Sequence, residues 1–232
     1  MAFTVTSRGH THRLASTTAS VSDTFTPAAN SLLLCVISGD SGLVGTGITD
    51  TFGGGSWVKI FEYQFTATTA RHTQLWACLP GASPSNGAIT CSHGYQLDTH
   101  VEFFEITGAD TSGTTANAFG VTGARDDYSN ASQTLTLSAF ASSTNMTFAW
   151  AFIAYASTTY SPTWTDGTFT TGTLYQVSTY AGYQAAWLTS EDTSVVNGIS
   201  PSATKVRGLF AVEIKAASAG ASGNPWYYFA QQ

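Results

Sequence analysis

Ser31-Leu32-Leu33-Leu34-Cys35-Val36-Ile37 is apolar at every position after its first residue. Phe148-Ala149-Trp150-Ala151-Phe152-Ile153-Ala154-Tyr155 repeats that character later in the chain. Runs this short, rich in branched and aromatic side chains, read as central strands covered on both faces. Shorter alternating segments, separated by Gly, Ser, Asn and Asp turns, surround each run. Around the first they are residues 17–25, 56–65, 70–79, 87–93 and 99–107; around the second, 133–140, 174–180, 183–189 and 206–215. No window sustains a helical period. The expected fold is all-β, an antiparallel, jelly-roll-like β-sandwich.

Composition agrees. Hydrophobic residues make up 43% of the 232 positions and charged residues only 9%, against about 25% charged in ordinary domains. Thr, Ser, Asn and Gln must therefore supply the polar surface, and Thr, Tyr, Phe, Trp and Val all suit a pleated, half-buried sheet. With 14 Phe, 10 Tyr and 6 Trp, the chain has the material for a large core. A net charge of −6, with eight Lys+Arg spread thinly, lacks the basic stripe that nucleic acid or an anionic membrane requires. Met1–Arg8 has no apolar signal core, and no apolar run approaches the roughly 20 residues that span a bilayer. Synthesis in a host cytoplasm is the expectation. Cys35, Cys78 and Cys91 have no metal-like spacing and read as buried thiols, although Cys78 and Cys91 could face each other across a hairpin.

The two series of segments look like copies. Thr49-Asp50 precedes Trp57-Val58-Lys59-Ile60 as Thr165-Asp166 precedes Leu174-Tyr175-Gln176-Val177. Trp76 precedes Asn86-Gly87 as Trp187 precedes Asn197-Gly198. Phe104-Glu105-Ile106 closes the first series and Val212-Glu213-Ile214 the second. The pattern gives an N-terminal arm (1–13), a first repeat at about 14–110 and a second at about 121–217. A duplicated unit fits two sandwiches, or one sandwich with pseudo-symmetric halves; the short join at 111–117 favours the second. Residues 218–232 form an Ala/Ser/Gly tether and a tail carrying Trp226-Tyr227-Tyr228-Phe229. Four adjacent aromatics must pack on their own domain or dock on a partner.

Motifs that carry chemistry are sparse. Gly39-Asp40-Ser41-Gly42 matches the nucleophile tetrapeptide of chymotrypsin-like proteases, but Leu43 replaces a further Gly and only 40 residues precede Ser41, too few for the upstream His and Asp. His10-Thr11-His12 places two imidazoles on one strand face, an arrangement similar to the iron clamps of some trimeric phage fibres; a solvated or hydrogen-bonded pair is the simpler reading. His72, His93 and His100 read as isolated. Glu102 and Glu105 point to opposite faces of a strand, whereas Glu105 and Glu213 occupy equivalent positions where each could accept from a neighbouring backbone N–H. Asp126-Asp127 and Glu191-Asp192 read as loop carboxylates, weak calcium candidates at most. The loop 51–56, which contains Gly53–Gly55, precedes a strand, so it lacks the helix N-terminus that binds phosphate. Neither a catalytic residue nor a cofactor is indicated. Tyr160, Trp164, Tyr180 and Tyr183 lie in or beside loops of the second copy and could stack on sugar rings.

Leu32–Ile37, Thr49-Asp50, Gly53–Gly55, Trp57, Trp76, Ile89-Thr90 and Glu105-Ile106-Thr107-Gly108 together resemble a broad group of phage and bacterial proteins of virion-structural or unknown role. The second copy departs from that pattern with Lys215-Ala216 after Glu213-Ile214. The resemblance implies a virion-surface protein such as a capsid decoration, head-fibre or tail-associated protein. Low charge and Thr-rich strands suit the tight symmetric packing of a homo-oligomer, a trimer among the assemblies that fit, partnered by capsid or other virion proteins, and the resemblance carries no catalytic residues over. A carbohydrate-binding adhesin module is the alternative.

Overall fold

The computed structural model describes residues 2–13, 18–40, 45–65, 71–93, 99–129, 132–154, 161–164, 169–177, 181–200 and 205–218. The first half forms β1 (Thr4–Arg13), β2 (Ala19–Val21), β3 (Leu32–Asp40), β4 (Gly45–Asp50), β5 (Val58–Phe65), β6 (Arg71–Cys78), β7 (Ile89–His93) and β8 (Thr99–Thr107). A 3₁₀ turn, Thr115–Ala118, leads into the second half. There the strands are β9 (Phe119–Ser129), β10 (Gln133–Thr136), β11 (Met146–Ala154), β12 (Ser161–Trp164), β13 (Thr170–Thr171), β14 (Tyr175–Val177), β15 (Ala181–Leu188), β16 (Ser194–Ser200) and β17 (Lys205–Ile214).

All strand pairs are antiparallel, and the sheets pack face to face as an all-β sandwich architecture. In the first half, strands run β1-β8-β3-β6-β5 in one sheet and β2-β7-β4 in another. The second half has the same order: β13 and β14 beside β15, then β11-β17-β9, with a second sheet β10-β16-β12. Each half therefore makes its own sandwich of a large and a small sheet. The sequence preference for one shared sandwich gives way to two, fused through their large sheets. The stretch read as an N-terminal arm is β1, hydrogen-bonded along β8. Asp126 and Asp127, read as loop residues, lie in β9.

Period-two alternation in the two apolar runs explains the layering. β3 and β11 are the central strands of the large sheets. Leu32, Leu34 and Val36 face Met146, Phe148, Trp150 and Phe152 in one core shared by both halves. The intervening residues look the other way. Leu33, Cys35 and Ile37 join Phe52, Cys78, Ile89, Cys91 and Phe103 beneath the first small sheet. Ala149 and Ala151 join Leu135, Val195 and Leu209 beneath the second. Four layers thus enclose three apolar seams. Aromatic contacts cross the middle one: Phe104 meets Phe148 at 5.3 Å edge-on, and Phe61 stacks near Phe210 at 5.7 Å. Polar contacts cross it too. Trp150 Nε1 donates to buried Ser38 Oγ at 2.9 Å, and Tyr63 Oη to Asp126 Oδ1 at 3.2 Å.

Strand register corrects the repeat alignment. Leu33 lies between Glu105 and Cys78, and Thr147 lies between Glu213 and Leu188. Anchored on the two glutamates, Trp187 is the counterpart of Ala77 and not of Trp76. One residue is half a pleat, so the two tryptophans face opposite ways: Trp187 packs on the middle seam and Trp76 on the first outer one. Asn86-Gly87 precedes β7 whereas Asn197-Gly198 lies inside β16, so these dipeptides are not equivalent either.

The glutamates are the repeated polar fixtures. Glu105 accepts from the Ala28 N–H and from Arg8 through Nε (2.9 Å) and Nη2. Glu213 accepts from the Ala141 and Val121 N–H groups, both at 2.9 Å, and from Asn145 Nδ2. Each ties the loop before a central strand to the last strand of its copy. Glycines fit close approaches nearby: a Cβ on Gly54 would lie 2.1 Å from the Pro80 carbonyl oxygen. The Gly53–Gly55 loop is thus shaped by packing. Glu213→Ala leaves three donors without this acceptor and should destabilise the protein by about 3–5 kcal/mol; a denaturant midpoint unchanged from wild type would contradict this role. Phe148→Ala should cost about 3–5 kcal/mol, with probes in both halves reporting the same weakened transition.

Candidate functional site

The densest group of chemically capable side chains lies at one margin of the middle seam, where β1 and β8 of the first copy meet β14 and β15 of the second. His100 and Glu102 are two apart on β8 and so share a face; it is the seam face, since Phe104 and Ile106 continue it into the shared core. Both are fully buried. His10 pairs with Glu102 and His12 with His100 across β1–β8. From the second copy come Tyr183, stacked on His100 at 4.8 Å and 10°, Tyr175 at 4.9 Å, and Trp150 at 5.5 Å.

A β-bulge determines which side chains arrive. The register of β1 slips between Ser7 and His10, where one extra residue is accommodated. Gly9 has φ of +103°, and a Cβ there would lie 2.9 Å from the Asp23 backbone nitrogen. Before the bulge Val5 and Ser7 pair with the seam-facing Ile106 and Phe104; after it His10 and His12 do so with Glu102 and His100. Without the extra residue, Gly9, Thr11 and Arg13 would take that face. His10 stacks on Tyr175 with ring centres 3.6 Å apart and lies 6.1 Å from His100; His12 is 6.0 Å from His100.

Burial dominates the electrostatics. Desolvation pushes His100 well below the ordinary imidazole range, helped by His12 and His10, and so holds it neutral. Desolvation raises Glu102 to about 8, opposed by the Ser7 hydroxyl. His10 is lowered by partial burial, against the pull of Asp23. His100 Nε2 and Glu102 Oε2 are 3.9 Å apart. Among the described residues neither His100 ring nitrogen nor Glu102 Oε2 has a hydrogen-bond partner. Among the described residues no group of three or more His, Cys, Asp or Glu side chains is arranged to hold a metal ion; His10 and His12 lie against the rings of Tyr175 and Tyr183.

The other candidates separate. Tyr183, read as a possible sugar contact, is 1% exposed and belongs to the shared core; its ring cannot meet a sugar. Trp164 is partly buried against the second outer seam, stacked on Phe169 at 5.6 Å, and its Nε1 donates to Gln184 at 3.0 Å. Tyr160, Tyr180 and the tail aromatics Trp226, Tyr227, Tyr228 and Phe229 lie outside the described residues, as do Ser41 and Gly42 of the protease-like tetrapeptide. Cys35, Cys78 and Cys91 are free and buried. Cys78 and Cys91 sit in different sheets and not across a hairpin, and Cys91 instead neighbours Cys35. Burial, with Asp50 nearby, lifts Cys78 to about 12. Glu191 and Asp192 accept from the Phe140 and Ser194 N–H groups.

His100 and Glu102 are what the sequence reading missed. Their period-two spacing on a strand that also carries Glu105 was the available signal, but their partners come from a bulged strand with no apolar alternation. Compared with known proteins, the chain matches no family model, no curated protein and no solved structure. Gly9→Ala should destabilise the fold by more than about 1 kcal/mol, since the native φ is incompatible with a Cβ. Unchanged thermal stability would mean that the bulge is not needed to seat the histidines.

Proposed function

We propose that this chain is a non-enzymatic structural protein of an assembled particle, with a phage capsid decoration or cement role as its specific form. One observation supports this above others: three carboxylates, Glu105, Glu213 and Asp50, serve as ties for loop groups. Glu105 and Glu213 hold loop N–H groups in duplicate, and Asp50 holds the Phe52 N–H and the Trp57 indole. Polar groups engaged in this way stiffen a scaffold. A low-charge, Thr- and Ser-rich exterior suits close packing against neighbouring subunits, since interface cores are depleted of charge. The adhesin reading loses support, because Tyr183 is in the core and the Trp164 indole N–H is engaged by Gln184.

The test is the solution mass of the purified protein by light scattering behind a sizing column, paired with a glycan array. A stable homo-oligomer, a trimer being the form favoured here, with no selective glycan binding is the expected result. Removing residues 224–232, with their aromatic cluster, should return the protein to monomer without changing its circular dichroism. A monomer that gives selective array hits, lost on Trp164→Ala, would overturn the proposal in favour of the adhesin.

A further inference from the structure

The shared margin holds a feature that assembly alone does not call for. Two ionisable groups, His100 and Glu102, are fully buried side by side in the plane where the two copies meet. Buried polar groups are nearly always hydrogen-bonded, yet both ring nitrogens of the histidine and one carboxyl oxygen of the glutamate lack a partner here. Among the described residues the other carboxyl oxygen accepts only from the Ser7 hydroxyl, at 3.4 Å. The pair is close enough to share a proton with a small side-chain shift, since Nε2 and Oε2 are 3.9 Å apart.

We propose that His100 and Glu102 form a proton-operated latch on the seam: with one proton held between them the two copies stay closed, and loss of that proton to solvent loosens β1 and β14. The step balances simply. A base in solution takes the proton, and the pair passes from no net charge to one negative charge in an apolar seam. Among the described residues no cationic side chain is placed to compensate that charge. The groups that face the pair are Ser7, His10 and His12 from β1, Tyr175 from β14, Tyr183 from β15 and the Trp150 ring from β11. Asp23, beyond His10, is itself acidic. Among the described residues no lysine or arginine shifts either group. A bare carboxylate so placed favours hydration, and the margin strands are those that can admit water with least loss of core.

The direction with pH follows from linkage. Glu102, raised from 4.5 to about 8, keeps its proton when folded over a range in which the unfolded chain has lost it. It therefore opposes folding increasingly as pH rises from 4.5 to 8. His100, lowered from 6.5, refuses when folded a proton that the unfolded chain accepts, and so opposes folding as pH falls below 6.5. Between 4.5 and 6.5 folded and unfolded states each hold one proton on these two groups, and their contribution is level. From 6.5 to about 8 only the folded state holds it, so the folded-to-unfolded ratio should fall about tenfold per pH unit, about 30-fold across the window.

The latch does not depend on the particle role. Its test is chemical denaturation of the full chain at pH 5.5, 6.5, 7.5 and 8.5, for wild type and Glu102→Gln, whose amide imitates the protonated carboxyl. Wild type should lose stability by about 30-fold between pH 6.5 and 8, and the variant should lose most of that slope. Equal slopes, or a level wild-type profile, would overturn the proposal. Should the variant fail to fold, hydrogen exchange of wild type decides. Corrected for intrinsic rates, β1 and β14 should gain exchange above pH 7 ahead of β7 and β16. Uniform protection across the four strands would equally overturn it.

Discussion

Everything in this protein is arranged around the contact between two large sheets. β3 and β11 lie at their centres, and alternate side chains of each strand are committed in opposite directions. A sheet with apolar residues on both faces cannot stand alone in water. Its inner face must find another sheet, and here it finds the corresponding sheet of the other copy, with Phe104, Phe148, Trp150 and Phe210 filling the gap. The outer faces are closed by the three-stranded sheets. The small sheets depend on the large ones for their cores, and the large ones depend on each other.

The pairing also makes the margins unlike one another. At one, β5 meets β9, and Tyr63 donates to Asp126. At the other, β1 meets β14, and His10 stacks on Tyr175. These are matching positions in the two copies, because β9 has the place of β1 and β13–β14 the place of β5. The copies diverge in chemistry where they agree in topology. One margin acquired a tyrosine–aspartate bond, the other a histidine cluster around a buried acid. The ties at Glu105 and Glu213, by contrast, retained one role in both, since a loop N–H must be satisfied in either copy.

The central strands and the fold class were legible in the sequence because continuous apolar runs and period-two alternation are direct consequences of burial. The edge strands β1 and β9 were not, although the segments at 56–65 and 174–180 anticipated the edge strands β5 and β14. β1 reads Thr-Val-Thr-Ser-Arg-Gly-His-Thr-His-Arg, with polar residues on both faces, and it is held by β8 and not by its own pattern. β9 is similar. The repeat was visible, but two tryptophans of the same size suggested an alignment one residue out, and only pairing partners reveal on which face each lies. The histidine cluster was half legible: the shared face of His10 and His12 follows from spacing, whereas its meeting with His100 and Glu102 needs the bulge at Gly9 and a second sheet. Tyr183 looked like a loop aromatic because β14 and β15 are close in sequence, yet its ring fills the seam.

The account claims that neither copy is complete without the other, and calorimetry of the whole chain tests that most directly. A single endotherm, with calorimetric and van't Hoff enthalpies in agreement, is the predicted result for one cooperative unit joined through the middle seam. Two resolved transitions, or a calorimetric enthalpy about twice the van't Hoff value, would show that each sandwich stands alone and would contradict the claim.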